Sequence, residues 1–315
     1  MPLDIVFIGS TGFSVRLLEG LRQSPHPVVK VITLADRPAG RGLKQRRTPL
    51  KQAAEGLAGC ELAEWDTLDV TEPVGGAALQ EPGLGVVAAF GKIMPPSFIE
   101  RFPLGIINVH PSLLPRLRGA APVQRAIMQG NRLTGVSLAY LDEGIDTGDV
   151  IEQAELEISE EDDFGGLEDK LAGLAIRLLI RNLDLLEREG SLTTYPQDHA
   201  LATYAHPIQR EERLIDWSLP DLKTFNQIRA LSPRPGAYTT FRGKRVKIMR
   251  TRLTGQPCEG PPGTIEKIGK HDLLVHTATC SLLVTDLQPE GGRILSAGEF
   301  LRGYRVSETE AFTRE

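Results

Sequence analysis

Three polar side chains near the middle of the chain have the types and spacing to work together on a reacting group. The run Ile106-Ile107-Asn108-Val109-His110 reads as a strand that ends at Pro111, a residue with no N–H to extend a ladder. Asn108 and His110 are two positions apart, so both side chains leave one face at the strand's carboxyl end. In open α/β sheets that end is where ligands sit. Downstream, Leu141-Asp142-Glu143-Gly144-Ile145-Asp146-Thr147-Gly148-Asp149 is a glycine-punctuated acidic loop after a strand, suited to hold a carboxylate near the sheet edge. An amide, an imidazole and a carboxylate supply a hydrogen-bond donor, a proton carrier and a group that orients the ring. No Ser or Cys stands where it would serve as nucleophile, so any group transfer is expected to be direct.

Each residue also has a plain structural alternative. A lone His after a strand is commonly a satisfied structural residue, Asp146 and Asp149 beside glycines are ordinary turn formers, and Asn108 can cap a loop. The combination is far more specific than any one of them. Two short segments adjoin it. Ser112-Leu113-Leu114-Pro115 is a loop stiffened by proline, able to meet a flat ligand without further ordering. Arg118-Gly119-Ala120-Ala121-Pro122 brings small residues to the start of a helix.

The elements that position these residues alternate. Strands are expected at Asp4–Ile8, Val28–Leu34, Gly85–Ala89, Ile106–His110 and Val136–Leu141. Amphipathic helices are expected at Phe13–Arg22 and Pro122–Gln129, with apolar residues at three- and four-residue intervals. Val- and Ile-rich strands separated by helices predict a doubly wound, mostly parallel α/β sheet covered on both faces. A long helix over Phe164–Glu189 follows Ser159 and the acidic run Glu160-Glu161-Asp162-Asp163, residue types that suit a helix N-terminus. The aperiodic stretch 190–207 reads as a linker. Beyond it come a helix at Asp221–Leu231 and five short strands, at Ala237–Phe241, Arg245–Thr251, Gly263–Ile268, Leu273–Thr277 and Ser281–Leu287. These predict a small OB-like β-barrel. The expected organisation is therefore a domain over 1–189, the linker, and a second domain over 208–315.

Bulk properties narrow the function class. A chain of 315 residues with 41% hydrophobic and 24% charged residues fits a two-domain globular protein. The N-terminal apolar stretch is short and lacks a basic leader, and no run approaches a membrane span; a cytoplasmic protein without membrane contact is expected. Cys60, Cys258 and Cys280 form no CxxC pair, and the six histidines show no paired-ligand spacing, so neither a disulfide framework nor a metal site is expected. Residues 1–195 hold 19 Lys and Arg against 27 Asp and Glu, whereas residues 196–315 hold 17 against 14. The basic second part is the one suited to face a polyanion. Arg37, Arg41, Lys44, Arg46 and Arg47 crowd one Gly/Pro-rich loop, and Lys244, Arg245, Lys247, Arg250 and Arg252 decorate one strand region. Such runs are commonly solvated faces; they also suit phosphate contacts to RNA.

Taken together, NVHPSLLPRLRGAAPVQRAI (108–127), TGVS (134–137) and DEGIDTGD (142–149) are similar to the folate-dependent formyltransferase family. The resemblance is strongest to the members that act on methionyl initiator tRNA. It covers nearly the whole chain, including Asp36-Arg37-Pro38-Ala39-Gly40-Arg41-Gly42 and Tyr204-Ala205 followed by Ile215-Asp216-Trp217. The resemblance implies that Asn108, His110 and Asp146 are catalytic around the formyl group of 10-formyltetrahydrofolate, a consumed co-substrate that needs no metal. It implies that Ser112, Leu113, Leu114 and Pro115 bind the folate. Arg41 matches the position that reads the tRNA acceptor end, with Lys44, Arg46 and Arg47 beside it, in a protein expected to be monomeric. Two places depart from the pattern. Gly9-Ser10-Thr11-Gly12 stands where Gly-Thr-Pro is usual, with little consequence expected. His206-Pro207 replaces a usual lysine, which weakens an RNA role for the linker end.

Rival readings remain. A nicotinamide enzyme would need GxGxxG spacing, and the first turn has only GxxG. A nucleotide-sugar formyltransferase shares the Asn-His-Asp core and the loop, but the arginine loop favours tRNA. A formyltetrahydrofolate hydrolase or a non-catalytic RNA-binding protein would also use this scaffold; the three retained residues argue against the latter.

Overall fold

Ile5–Gly9 (β1) is buried along its whole length, as a strand must be when neighbours lie on both sides and helices cover it. The computed structural model describes residues 2–39, 44–67, 83–307 and 310–314. The chain divides into two compact units, one of Met1–Pro122, Leu133–Glu157 and Glu168–His206, the other of Val123–Arg132, Ile158–Leu167 and Pro207–Glu315.

In the first unit, β1 is followed by helix α1 (Gly12–Leu21), β2 (Val28–Thr33), β3 (Arg37–Ala39), β4 (Lys44–Arg46), α2 (Pro49–Ala54) and β5 (Glu61–Glu64). Next come β6 (Leu84–Ala88), α3 (Pro96–Ile99) and β7 (Ile106–His110). Helix α4 (Pro122–Met128), nearly all of which groups with the second unit, precedes β8 (Leu133–Tyr140) and β9 (Val150–Glu157). The main sheet has the order β5-β2-β1-β6-β7-β8-β9. The first five strands run parallel and β8 and β9 antiparallel. The chain winds outward from β1 to β5 and returns on the other side at β6, a switch point of the kind that opens a crevice at the strands' carboxyl ends. β7, which carries Asn108 and His110, lies next to β6, and the β8–β9 hairpin that carries Asp146 lies beside it.

The turn after β1 is tied by side-chain hydrogen bonds. Ser14 Oγ donates to Ala88 O at 2.6 Å and accepts from the backbone N–H of Ser10 and Thr11. Ser10 Oγ reaches Ala89 O at 2.9 Å. A Cβ at Gly9 would lie 2.6 Å from that of Ser14, so helix and strand pack as closely as glycine allows. Helix α5 (Phe164–Glu189) lies where the sequence predicts it. It leans on α1, since a Cβ at Gly20 would meet Ile176 at 2.7 Å.

Several elements escape the sequence reading. β5 is a charged edge strand, Glu61-Leu62-Ala63-Glu64, with its end exposed. β9 starts with buried Val150 and Ile151 and then alternates half-buried and exposed residues along Glu-Gln-Ala-Glu-Leu-Glu, a half-solvated strand that extends the sheet in antiparallel fashion. β3 and β4 pair into a short hairpin inside the basic loop.

The second unit contains α6 (Asp221–Leu231), β10 (Ala237–Phe241), β11 (Lys244–Pro257), β12 (Ile265–Ile268), β13 (Asp272–Val275), β14 (Cys280–Pro289), β15 (Leu295–Ser296) and α7 (Ala297–Tyr304). Its antiparallel sheet has the order β10-β11-β14-β13-β12, with β15 on β14. The two edges are joined by the last residues. Thr313 exchanges both backbone hydrogen bonds with Thr240 of β10, and Phe312 N donates to Gly263 O just before β12. Phe312 enters an aromatic cluster with Phe241 and Phe300, ring centroids 5.7 and 6.4 Å away. The apolar faces of the sheet, α6 and α7 form one core that includes Trp217, Ile228, Ile248, Val284 and Phe300. Asp163 caps the chain entering α5, accepting from Gly166 N at 2.8 Å, the structural role read from its sequence position.

The stretch after α5 is not a free tether. Tyr195 exchanges backbone hydrogen bonds with Val150, and residues 203–205 pair with 115–121 through Thr203 N to Pro115 O, Arg118 N to Thr203 O, Ala205 N to Arg118 O and Ala121 N to Ala205 O. It is stitched along the loops that end β7 and β8.

Candidate functional site

β7 places Asn108 opposite Ala139 and His110 opposite Ser137 of β8, and both side chains are buried, 9% and 4% exposed. Asp146 meets them from the β8–β9 hairpin. Its backbone has φ +54, a left-handed conformation that Asp adopts more readily than most residues. Oδ1 accepts from Asn108 Nδ2 at 2.7 Å and lies 3.5 Å from His110 Nδ1. Oδ2 accepts from the backbone N–H of Gly119 at 2.7 Å. Of the three residues singled out by type and spacing, Asp146 therefore meets both of the others. Asp142 of the same loop is a turn former, its Oδ1 accepting from Gly144 N and Thr147 Oγ1, and Asp149 Oδ2 accepts from the Thr194 hydroxyl at 3.5 Å.

Hydrogen-bond chemistry assigns the donors. His110 Nε2 lies 2.9 Å from Leu117 O. A carbonyl only accepts, so Nε2 carries a hydrogen and Nδ1 is the nitrogen turned toward Asp146. Leu117 itself has φ +57, a strained conformation for a branched side chain, and its N–H is held by Thr203 Oγ1 at 2.9 Å. Asn108 Nδ2 has two hydrogens, and among the described residues Asp146 is its one acceptor. The second hydrogen is available to an oxyanion.

The loop 112–115 is rigid and internally satisfied. Ser137 Oγ accepts from Leu114 N at 2.9 Å and donates to Ser112 O at 2.7 Å. Gln153 Nε2 bonds both Leu114 O and Ser137 Oγ, and Ser112 Oγ donates to Arg116 O at 2.7 Å. Because these polar groups are occupied, the loop offers shape and the apolar surfaces of Leu113, Leu114 and Pro115 more than free backbone donors. Leu114 and Pro115 line a cavity with Val150, Ile151, Tyr195 and Gln197. Ser137 and Gln153 carry no chemical signature in sequence beyond lying on strands, so spacing alone does not find them.

The basic loop is only partly described. Arg41 lies outside the described residues. Lys44 and Arg46 fall on β4 of the hairpin, and Arg47 is exposed, with its guanidinium 2.5 Å from Glu55 Oε2. At the hairpin's base Lys51 Nζ donates to Asp36 at 2.8 Å and Glu64 at 2.5 Å. The Asp36 and Glu64 hydrogen bonds raise the lysine above its usual pKa. On β11, Val246 and Ile248 face the core while Lys244, Arg245, Arg250 and Arg252 face solvent, with Arg245 over the Tyr238 ring at 4.3 Å. Among the described residues, no cluster of three or more His, Cys, Asp or Glu could hold a metal ion. No helix there is long and apolar enough to cross a membrane.

Known proteins share this organisation. Residues 3–183 match the family model "Formyl transferase" and residues 207–305 match "Formyl transferase, C-terminal domain". The chain is 40% identical over 311 residues to a methionyl-tRNA formyltransferase of Pelotomaculum thermopropionicum, covering 97% of each chain. It is 39% identical over 304 residues to the methionyl-tRNA formyltransferase of Bacillus subtilis, covering 96% of this chain and 95% of that one. Among solved structures, HypX of Aquifex aeolicus in complex with tetrahydrofolic acid superimposes with a TM-score of 0.67 at 19% identity, over 100% of this chain and 51% of that one.

Proposed function

Because the chain belongs to the formyl transferase family, we propose that it transfers the formyl group of 10-formyltetrahydrofolate to the α-amine of methionyl initiator tRNA. The observation that carries the reading is the Asp146 carboxylate, gripped by Asn108 and Gly119 and set 3.5 Å from His110, at the carboxyl end of β7. The curated relatives with near-complete coverage support the choice of methionyl-tRNA as acceptor, and the tetrahydrofolate in a structural neighbour fits a reduced folate as donor.

In this mechanism the neutral amine attacks the formyl carbon and the carbonyl electrons move onto oxygen. Asn108 Nδ2, through its unused hydrogen, and His110 Nδ1, when protonated, stabilise that oxyanion. Losing one such donor typically costs about 10²–10³ in rate. The C–N10 bond then breaks, the carbonyl re-forms, and the proton shed by the amine passes to N10, with Asp146 placed to relay it. An α-amine with a pKa of about 8 is partly neutral near pH 7, so the site has mainly to position it. Ser112–Pro115 present the folate, while Arg41, Lys44, Arg46 and Arg47 contact tRNA phosphates, assisted by the basic face of β11.

The test incubates the protein with 10-formyltetrahydrofolate and, separately, methionyl initiator tRNA, methionyl elongator tRNA, an amino-sugar nucleotide, or buffer. Formylation confined to the initiator tRNA is expected. Transfer to the sugar nucleotide, or formate release in buffer at a comparable rate, overturns the reading.

A further inference from the structure

Arg118 is buried to 2% exposure, and among the described residues no carboxylate pairs with it. A buried cation without an acid is costly to retain. Its guanidinium instead donates to a neutral amide, through Nε at 3.2 Å and an η nitrogen at 2.6 Å to Gln197 Oε1, and the same η nitrogen lies 3.2 Å from His199 Nδ1. A guanidinium has no acceptor, so this contact fixes which end of the Gln197 amide is oxygen. The amide nitrogen then points the other way, and both of its hydrogens are used: Nε2 donates to Asp146 O at 3.0 Å and to Gly148 O at 2.6 Å.

From this geometry we infer that Gln197, oriented by Arg118, is a positioning residue for Asp146. The inference rests on the formyl-transfer reading above. Asp146 occupies a left-handed conformation at φ +54, which persists only where the surroundings over-determine it. Gln197 supplies that constraint by gripping the carbonyls on both sides of Thr147. Arg118 is anchored in turn, its N–H donating to Thr203 O at 2.9 Å and its carbonyl accepting from Ala205 N at 2.7 Å. The next residue, Gly119, holds the Asp146 carboxylate itself. The backbone and the carboxylate of Asp146 are thus tied to one two-residue step of chain, and the segment that reads as a linker in sequence becomes part of the catalytic scaffold.

Gln197→Glu separates this role from simple neutralisation of Arg118. The carboxylate keeps the pairing with the guanidinium, but it cannot donate to two carbonyls. The expected result is a cooperatively folding protein whose tetrahydrofolate affinity and KM for methionyl initiator tRNA stay near wild type, while kcat falls by about 10²-fold, the usual consequence of a displacement near 1 Å. A kcat within about twofold of wild type, a difference too small to signal lost transition-state stabilisation, overturns the inference. Should that variant not fold, the double variant Arg118→Leu/Gln197→Leu, which removes the buried cation together with the amide that satisfies it, carries the same expectation and the same overturning result. A wild-type protein that fails to formylate the tRNA would instead remove the formyl-transfer premise itself, an outcome distinct from either variant's kcat.

Discussion

His110 Nε2 and the carbonyl oxygen of Leu117 are 2.9 Å apart, and this one contact decides which imidazole nitrogen faces Asp146. It also explains why Leu117 holds φ +57: in that conformation its carbonyl meets the ring while its N–H meets Thr203 Oγ1. Nitrogen-15 NMR of labelled histidine should show His110 in the Nε2–H form when neutral. His110→Ala should retain a cooperative melt and lose about 10²–10³ in kcat. An Nδ1–H tautomer, or near-normal turnover in the variant, would remove the ring from the mechanism.

Asp146 accepts on both carboxylate oxygens, from Asn108 and from Gly119, which a carboxylate can do and a carboxamide cannot. In Asp146→Asn one of the two oxygens becomes a donor, so either Asn108 or Gly119 faces an NH₂ group. Leaving a buried donor unpaired costs about 1–3 kcal/mol, so a drop in melting temperature should accompany loss of transfer. Asn108→Ala removes one donor and leaves the acid satisfied by Gly119, so it should be the milder change for stability. Because Asn108 and Asp146 are hydrogen-bonded to each other, their effects on kcat should be less than additive in the double variant. Additive losses would mean that they work independently.

What sequence could reveal follows from how each signal is generated. Asn108, His110 and Asp146 were legible because strand periodicity and a glycine-bounded loop fix directions and positions locally. α5 was legible because 26 residues of helical periodicity outweigh any local ambiguity. β9 was not, because its charged residues alternate toward solvent, and β5 was hidden for the same reason at the sheet's edge. Gln197 was invisible: it sits between Pro196 and Asp198 in an aperiodic stretch, and its task depends on contacts with residues 49 and 79 positions away. No pattern within a window encodes such a contact.

Gly148 tests how tightly the hairpin is built. A Cβ there would lie 1.8 Å from Tyr140 O, a backbone atom that cannot swing aside as a side chain can. Gly148→Ala should therefore displace the Asp146 loop, costing about 1–3 kcal/mol and most of the formyl transfer. Gly190, where no atom lies within 4 Å of a built Cβ although its φ is +75, is the control: Gly190→Ala should cost stability modestly through its backbone alone and leave kcat unchanged. Equal activity in the two alanine variants would contradict the close packing.

The basic loop predicts a salt effect. If Arg41, Lys44, Arg46 and Arg47 meet phosphates, Arg41→Ala should raise the KM for tRNA and spare folate binding. It should also flatten the dependence of log KM on log salt concentration, by about 0.7 for each phosphate of single-stranded RNA that is no longer neutralised. Arg47→Ala should matter less, since its guanidinium is already shared with Glu55. An unchanged salt slope in Arg41→Ala would place the acceptor end elsewhere.

Glu310 sets an acid limit for the second unit. Its carboxylate binds Arg242 Nε at 2.5 Å and an η nitrogen at 2.8 Å and accepts from Ser307 N at 2.7 Å. The hydrogen bond from Arg242, then that from Ser307, lower its pKa to about 2. Arg242 also reaches Tyr304 O at 3.0 Å, so the pair ties the end of α7 to the tail that bridges β10 and the start of β12. A carboxyl depressed in the folded state stabilises fully above its unfolded pKa of about 4.3, and that contribution disappears as pH falls toward 2. Both groups touch solvent, so salt will screen part of it. Melting curves of wild type and Glu310→Gln should therefore differ at pH 6 and converge between pH 4 and 2, with the gap narrower in high salt. A gap that stayed constant down to pH 2 would show that the tail is held by Phe312 and its backbone pairing alone.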